Sequence, residues 1–216
     1  MTKGIDISQY NRVNDMNAVR AAGNEFVIIR CTGFSNQSKN TMPYKDSKFE
    51  KHYEMAKVAG LKVGAYAYVA PIPGIDPKDH AHFVLDVLKG KSFEFPVYID
   101  VEAWKYYDKF GRTIYVHEFL QEIEKQNAFV GIYGSDISTF KDMLVMDLKD
   151  ENMGPILQHY TWWVARYGNK PSYATRNMHI WQDSSKGIVQ GITGNVDTDI
   201  CYHDFSVIER RGMNRF

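Results

Sequence analysis

The chain has 216 residues and carries 26 Lys and Arg against 26 Asp and Glu, so its formal net charge is zero. This balance gives no reason to expect nucleic acid or an anionic membrane surface as the main partner. No apolar run reaches the length of a membrane span and no signal peptide precedes Gly4, so we expect no membrane insertion and synthesis in the cytoplasm without a leader.

The chain up to residue 149 alternates short apolar strands with helical segments. Strands are predicted at 3–9, 26–31, 61–69, 95–104 and 129–133. Helices are predicted at 14–22, 47–59, 78–88, 113–126 and 137–149, with a long loop at 33–47. Strands that alternate with helices favour a parallel sheet with right-handed crossovers.

The pattern changes after residue 149. Three more strands are predicted at 161–165, 179–182 and 196–201, and the segments between them contain Gly, Asn, Ser and Pro without a helical period. Eight strands with helices after only the first five predict an α/β fold, an incomplete TIM-like (β/α)5(β)3 barrel. We expect one catalytic barrel over residues 1–208 and a basic, solvated C-terminal tail over 209–216.

The strand at 95–104 contains the candidate catalytic pair. Side chains alternate along a strand, so Asp100 and Glu102 point to one face while Ile99 and Val101 point to the other. The pair lies where the strand ends, and β/α barrels place their active sites at the carboxyl ends of the strands. Neighbouring carboxylates repel, so one should keep its proton to a higher pH, as a general acid requires. A D-x-E pair alone is a weak motif, and only the rest of the chain can make it informative.

Two further acids are expected at the same end of the barrel. Asp6 lies between two isoleucines in the first strand, and a closed barrel would place Asp197 of the eighth strand beside it. Because Asp197 stands near the beginning of its strand, it reaches this end only if that strand runs antiparallel. The link from Gln182 has no helical period, as antiparallel neighbours allow, so we predict an antiparallel last strand.

Aromatic side chains near the strand ends would surround these acids. Ring faces stack on the C–H faces of sugars, so acids walled by rings favour a carbohydrate substrate. The candidate substrate-binding residues are Tyr66, Tyr68, Trp104, Tyr133, Trp163, Tyr167 and Gln182, with Trp181 beside them.

Several segments together resemble one enzyme family. They are Gly4-Ile5-Asp6-Ile7-Ser8, Ala59-Gly60-Leu61, Gly64-Ala65-Tyr66, Tyr98-Ile99-Asp100-Val101-Glu102, Gly131-Ile132-Tyr133, Trp163-Val164-Ala165-Arg166-Tyr167, Trp181-Gln182 and Gly194-Asn195-Val196-Asp197. From Gly4 to Phe205 the sequence is similar to the glycoside hydrolase family 25 lysozymes, the Chalaropsis-type muramidases common as phage endolysins. It departs from the family pattern at Thr32-Gly33, where the second strand is usually followed by Glu-Gly, and at Ala67, where His is frequent.

The resemblance implies an N-acetylmuramidase that cleaves the β-1,4 bond between N-acetylmuramic acid and N-acetylglucosamine in bacterial peptidoglycan. It assigns the general acid to Glu102 and the acidic surround to Asp6, Asp100 and Asp197. The aromatic residues that it places at the sugar site are Tyr66, Tyr133, Trp163 and Tyr167. We expect no metal or cofactor, a monomer, and action on the cell wall.

Both the mechanism and the function leave alternatives. The spacing of Asp100 and Glu102 lies near the border between retaining and inverting glycosidases. We favour a third route, in which the 2-acetamido group of the substrate attacks while Asp100 stabilises it. The rival functions are a chitinase-like glycosidase, a metal-dependent barrel enzyme whose carboxylates hold Mg²⁺ or Mn²⁺, and a non-catalytic wall-binding barrel.

Cys31 and Cys201 are predicted to be free thiols. They lie on the second and eighth strands with the first strand between them, which sets them about 9–10 Å apart. A disulfide needs Cα atoms within about 7 Å. Two cysteines are also too few for a disulfide framework, and they suit a reducing compartment.

Overall fold

The computed structural model describes residues 1–34, 42–70, 72–102, 104–150 and 154–216. Its strands are β1 (Thr2–Ile7), β2 (Arg12–Val13), β3 (Phe26–Phe34), β4 (Pro43–Lys45), β5 (Lys62–Tyr68), β6 (Val97–Asp100), β7 (Val130–Ser135), β8 (Lys149–Asp150), β9 (Gly154–Pro155), β10 (Thr161–Ala165), β11 (Met178–Gly187), β12 (Ile192–Thr193) and β13 (Val196–Cys201). Its α-helices are α1 (Met16–Ala21), α2 (Phe49–Ala59), α3 (Pro77–Leu88), α4 (Lys109–Glu124) and α5 (Ser206–Arg210).

Eight of these strands close into a barrel. They follow the order β1-β13-β11-β10-β7-β6-β5-β3, and β3 pairs again with β1. Seven of the eight strands are parallel to their neighbours, in the order β1, β3, β5, β6, β7, β10 and β11. The eighth strand, β13, closes the barrel and is antiparallel to both β1 and β11. The predicted incomplete TIM-like barrel and its antiparallel last strand are therefore confirmed. We call the end at the carboxyl termini of the parallel strands the mouth, and the opposite end the base.

The alternation of side chains along each strand divides the apolar residues into two cores. Ile5 and Ile7 of β1 belong to the outer core, between the strands and the helices. Phe26 and Ile28 of β3 belong to the core inside the barrel. The interior has little room, because a Cβ at Gly4 would lie 2.5 Å from the Phe26 ring. A glycine therefore faces a large ring across neighbouring strands, as the close packing of a small barrel requires.

The helix predicted at 137–149 is wrong in extent. The structure has a single wide turn at Ser138–Met143, in which the Asp142 amide donates to the Ile137 carbonyl five residues back, at 3.0 Å. The Thr139 hydroxyl donates to the Val101 carbonyl at 2.8 Å, which ties this turn to the end of β6. Beyond it the chain enters the short β8–β9 pair instead of continuing as a helix.

The loop predicted at 33–47 is partly a strand. β3 continues to Phe34, and its end pairs antiparallel with β4, with Thr32 opposite Lys45 and Phe34 opposite Pro43. The middle of that predicted loop, residues 35–41, lies outside the described residues.

The prediction that 209–216 is a solvated tail is also wrong. Asn214 is fully buried at the base, where its side chain accepts from the Phe129 amide at 2.6 Å and donates to the Phe95 carbonyl at 2.9 Å. The ring of Phe216 packs edge-on against Phe93. These contacts hold the C-terminus across the beginnings of β6 and β7.

The two cysteines are free thiols, as predicted, and both are buried. No helix in the described part of the chain is long and apolar enough to cross a membrane.

Candidate active site

A cavity of about 430 Å³ opens at the mouth of the barrel. Its lining residues come from most of the barrel strands and from the loops that follow them. They are Asp6, Tyr10, Arg30, Phe34, Tyr44, Tyr66, Tyr68, Asp100, Glu102, Tyr133, Trp163, Tyr167, Gln182 and Asp197. The sequence predicted ten of these fourteen residues, including all four acids.

The four acids reach the cavity from three strands. Asp100 is the last residue of β6 and is buried, and Glu102 follows two residues later and is exposed to the cavity. Asp6 on β1 and Asp197 on β13 are direct partners in the antiparallel register. The reversed direction of β13 therefore brings the beginning of that strand to the mouth, as the sequence required.

Burial is the main electrostatic influence on these acids. It raises the pKa of Asp6 well above its usual value, with further increases from the charges of Asp199 and Asp197. It also raises the pKa of Asp100, helped by the charge of Glu102 and opposed by Arg30. Such groups hold a proton at a pH where an exposed carboxyl has lost it.

The two acids at the edge of the cavity are shifted in the same direction. Burial raises the pKa of Asp197 to about 6, with the charge of Glu102 adding to the increase. The pKa of Glu102 is also raised by desolvation, while its hydrogen bond with Tyr133 lowers it. We expected neighbouring acids to raise the pKa of Glu102, but the increase comes from desolvation by the walls of the cavity.

A chain of hydrogen bonds fixes the groups around the acids. The Gln182 side chain donates to Asp6 Oδ2 at 2.7 Å. Its oxygen accepts from the hydroxyl of Tyr133 at 2.8 Å and from that of Tyr167 at 3.1 Å. Since Tyr133 also contacts Glu102, the chain links the acid at the edge of the cavity to the acid of the first strand.

The aromatic residues divide into a floor and a wall. Trp163 is only 1% exposed, and its ring lies 4.2 Å from Tyr133 and 5.8 Å from Tyr66, measured between ring centroids. It therefore closes the bottom of the cavity. Tyr167 is 53% exposed and Tyr68 is partly exposed, so their rings are accessible to a ligand.

Trp104 and Trp181 do not line the cavity, contrary to the prediction. The Trp104 indole donates to the Val69 carbonyl at 2.7 Å, and its ring packs edge-on against Tyr115 of α4 in the outer core. The Trp181 indole donates to the Arg166 carbonyl at 2.8 Å. Both side chains support the strand ends from positions outside the cavity.

Four further residues line the cavity without having been predicted: Tyr10, Arg30, Phe34 and Tyr44. Arg30 is buried, and its Nε donates to Asp46 Oδ2 at 2.7 Å, while its guanidinium lies 4.9 Å from the centre of the Tyr10 ring. Arg30 could have been predicted, because it alternates with Phe26 and Ile28 along β3 and its cation therefore lies on the inner face of that strand. Tyr10 lies in a turn after β1, and Phe34 and Tyr44 lie on β3 and β4 within the segment that was predicted as a loop, so no alternation marked these three residues.

A second cavity of about 370 Å³ adjoins the first. Glu102 and Tyr167 line both cavities. The remaining residues of the second cavity are Ser135, Asp136, Ile137, Ala165 and Arg166. Asp136 is held by Arg166 at 2.6 Å and by the backbone amides of residues 172–174, so this wall is built from fixed groups.

No group of three or more His, Cys, Asp or Glu side chains in the described ranges is arranged to hold a metal ion.

The sequence model of Glycosyl hydrolases family 25 matches residues 5–192. An autolytic lysozyme of Clostridium acetobutylicum is 29% identical over 198 residues, which is 91% of this chain and 55% of that protein. The chain thus spans about half the length of this curated relative.

Solved structures share the fold. The bacterial lysozyme from Streptomyces coelicolor superimposes with a TM-score of 0.78 at 20% identity, covering 94% of this chain and 93% of that one. The autolysin LytC from Streptococcus pneumoniae, solved in complex with a synthetic peptidoglycan ligand, gives a TM-score of 0.76 at 24% identity and covers 93% of this chain and 46% of that one.

Proposed function

Because this chain belongs to the glycosyl hydrolases of family 25, we propose that it is a lysozyme that cleaves the β-1,4 bond between N-acetylmuramic acid and N-acetylglucosamine in peptidoglycan. The observation that carries the proposal is the convergence of four carboxyl groups from three strands on one cavity with aromatic walls. The peptidoglycan ligand of LytC and the autolytic lysozyme among its relatives support this substrate.

Glu102 is the general acid in this proposal. A general acid must reach the oxygen that joins the two sugars, so it stands between the two sugar sites. Glu102 fits this role because it lines both cavities and because its pKa is raised by desolvation. We assign the N-acetylmuramic acid ring to the acidic cavity and the leaving N-acetylglucosamine to the second cavity.

Asp100 stabilises positive charge as the bond breaks. It lies deeper in the first cavity than Glu102, where burial strengthens its interaction with a developing cation or with an attacking 2-acetamido group. This role needs the ionised form, which burial and the charge of Glu102 disfavour and the charge of Arg30 favours, so Asp100 acts only above its raised pKa. After the first step, Glu102 would act as the base that activates water.

Asp6, Asp197, Gln182 and the tyrosines complete the proposed site. Gln182 fixes the Asp6 carboxyl and is itself fixed by Tyr133 and Tyr167, so the group forms a preorganised wall. The exposed ring of Tyr167 offers a stacking surface at the junction of the two cavities. We further propose that the protein acts at the cell wall as a monomer.

The experiment is digestion of purified peptidoglycan, with new reducing sugars and new free amines measured separately. A lysozyme releases reducing sugars and no amines. Binding without either product would instead indicate a wall-binding barrel, and cleavage of chitin oligomers in preference to peptidoglycan would indicate the chitinase-like alternative. A parallel sample treated with EDTA and dialysed should keep full activity; recovery only after addition of Mg²⁺ or Mn²⁺ would favour the metal-dependent alternative.

A further inference from the structure

Arg30 is the one positively charged side chain among the described residues that line the first cavity. The other charged groups there are the four acids. Arg30 lies on β3 opposite Tyr66 of β5, and its side chain reaches the cavity from inside the barrel. It is only 7% exposed, and a cation this deeply buried requires partners that compensate its lost hydration.

Asp46 supplies the first of these partners. Its Oδ2 accepts from Arg30 Nε at 2.7 Å and from the Gln9 amide at 2.9 Å. Its Oδ1 accepts from the Lys48 amide at 2.9 Å. The ion pair therefore holds the guanidinium in place, and the Asp46 carboxylate keeps two amide donors even when Arg30 is replaced.

One nitrogen of the guanidinium has no such partner. Arg30 Nη2 is buried and finds no acceptor among the described residues. The Tyr10 ring covers the guanidinium, with 4.9 Å between the guanidinium carbon and the ring centre. This ring is 77% exposed, and exposed side chains change rotamer within nanoseconds, so an incoming ligand can displace it. A ligand that brings an acceptor to Arg30 then removes the cost of an unpaired buried donor.

The two sugars of peptidoglycan differ in a group that can be this acceptor. N-acetylmuramic acid is N-acetylglucosamine with a lactyl ether on O3. The lactyl group ends in a carboxylate or, where a stem peptide is attached, in an amide carbonyl, so both forms present an acceptor oxygen. A guanidinium donates to either oxygen and binds the carboxylate more strongly, because that hydrogen bond is charge-assisted.

We propose that Arg30 is a specificity-determining residue, which donates to the lactyl oxygen of the sugar in the first cavity and so favours N-acetylmuramic acid over N-acetylglucosamine there. This inference rests on the proposed function for the place of that sugar. A site that hydrogen-bonds the distinguishing group discriminates strongly, because an analogue without the group leaves a buried donor unpaired. The unpaired Nη2 of Arg30 is such a donor.

Binding of three tetrasaccharides to the Glu102→Gln protein, measured by calorimetry, tests the proposal without hydrolysis. The first alternates N-acetylglucosamine and N-acetylmuramic acid with free lactyl carboxylates, the second carries these groups as methylamides, and the third is chitotetraose, which has no lactyl group. The first should bind about 10- to 100-fold more tightly than chitotetraose. A gain for the second as well extends the recognition to peptide-bearing strands, and a gain for the first alone limits it to bare strands. Equal binding of all three overturns the proposal.

Arg30→Met in the same protein assigns the preference to this residue. The lactyl-bearing tetrasaccharides and chitotetraose should then have Kd values within about threefold of one another. Loss of the Arg30 charge also raises the pKa of Asp100, which acts on all three ligands, so the readout is the ratio of their Kd values. Arg211→Met, at the exposed end of α5, is the control and should preserve the ratio. An Arg30→Met protein that keeps the wild-type ratio contradicts the assignment.

A spectroscopic measurement decides the question even if the Met variant does not fold. The Glu102→Gln protein is labelled with ¹⁵N in its arginine side chains, and the Arg30 resonances are identified by their absence in Arg30→Lys. They should shift on addition of the first tetrasaccharide and much less on addition of chitotetraose; equal shifts would overturn the proposal. Wild-type protein that fails to digest peptidoglycan would reject the proposed function, while the comparison of ligands would still decide whether Arg30 recognises a lactyl group.

Discussion

The two halves of the barrel interior have opposite chemistry. The mouth half holds the acids, with Asp6 and Asp100 buried and their pKa values raised. The base half is an apolar plug, in which Phe26 stacks on Phe95 at 4.5 Å and Phe95 packs against Phe205 at 5.2 Å. The same eight strands therefore enclose a reactive end and an inert end.

The contrast between the two halves predicts that they contribute differently to the stability of the fold. Raised carboxyl pKa values mean that the folded state disfavours the ionised acids, so the mouth half contributes little to stability at neutral pH. Burial of large rings is among the most stabilising contributions available to a core. We therefore expect substitutions at the mouth to change activity with little loss of stability, and substitutions at the base to do the reverse.

The largest effect is expected at the mouth. Glu102→Gln removes the transferable proton with almost no change in shape, so kcat on peptidoglycan should fall about 10²- to 10⁴-fold. Glu102 is exposed, so the free energy of unfolding should change by less than about 0.5 kcal/mol. Glu209→Gln makes the same chemical change at the exposed α5 and should leave kcat unaltered. Near-wild-type turnover of the Glu102 variant would refute the assignment.

Removing an aromatic ring from the base should lower stability and leave activity unchanged. Phe205 is 3% exposed, so Phe205→Ala should lower the free energy of unfolding by about 3–5 kcal/mol in denaturant titrations, while kcat of the folded fraction stays unchanged. Phe110→Ala is the matched control, because Phe110 is 54% exposed and its loss should cost less than about 1 kcal/mol. Equal losses in the two variants would contradict the comparison.

The C-terminal contact at the base should give a smaller loss. Asn214→Ala leaves the Phe129 amide and the Phe95 carbonyl without their partner, so we expect a loss of about 1–3 kcal/mol in the free energy of unfolding. Asn17→Ala, at an exposed position of α1, is the control and should change stability little. If both variants unfold at the same denaturant concentration as wild type, the C-terminus is not docked as described.

Stability should also depend on pH, and this dependence should originate at the mouth. Acids with a raised folded-state pKa bind protons more tightly in the folded than in the unfolded protein. Their stabilisation is complete below the unfolded value, 3.8 for Asp197, and is lost as the pH rises through the folded value of about 6. The Tm should therefore fall between about pH 4 and 7, and it should fall less in Asp197→Asn. An identical fall in both proteins would assign the effect to other groups.

The barrel and the acids could be predicted because their signals are local. The period-2 alternation of β6 placed Asp100 and Glu102 together, and the helix-free link before β13 indicated its direction. The same alternation also places Asp199 on the inner face of β13, two residues after Asp197, although Asp199 was not predicted.

The errors arose where distant contacts decide the structure. Asn214 finds partners 85 and 119 residues away, and nothing within the tail itself signals them. Trp104 follows a strand end, as a cavity residue would, but its ring packs against Tyr115 of α4. The segment at 137–149 has a helical pattern, but only the wide turn at Ser138–Met143 forms, and Thr139 ties it to the Val101 carbonyl 38 residues away.

The most direct test of the central claim is the identity of the sugar at the newly formed reducing ends. Peptidoglycan digested by the protein is reduced with borohydride, hydrolysed and analysed by mass spectrometry. We predict reduced N-acetylmuramic acid, because the ring whose anomeric carbon faces Asp100 occupies the acidic cavity. Reduced N-acetylglucosamine at these ends would contradict the assignment of the two sugars to the two cavities, and with it the proposed muramidase activity.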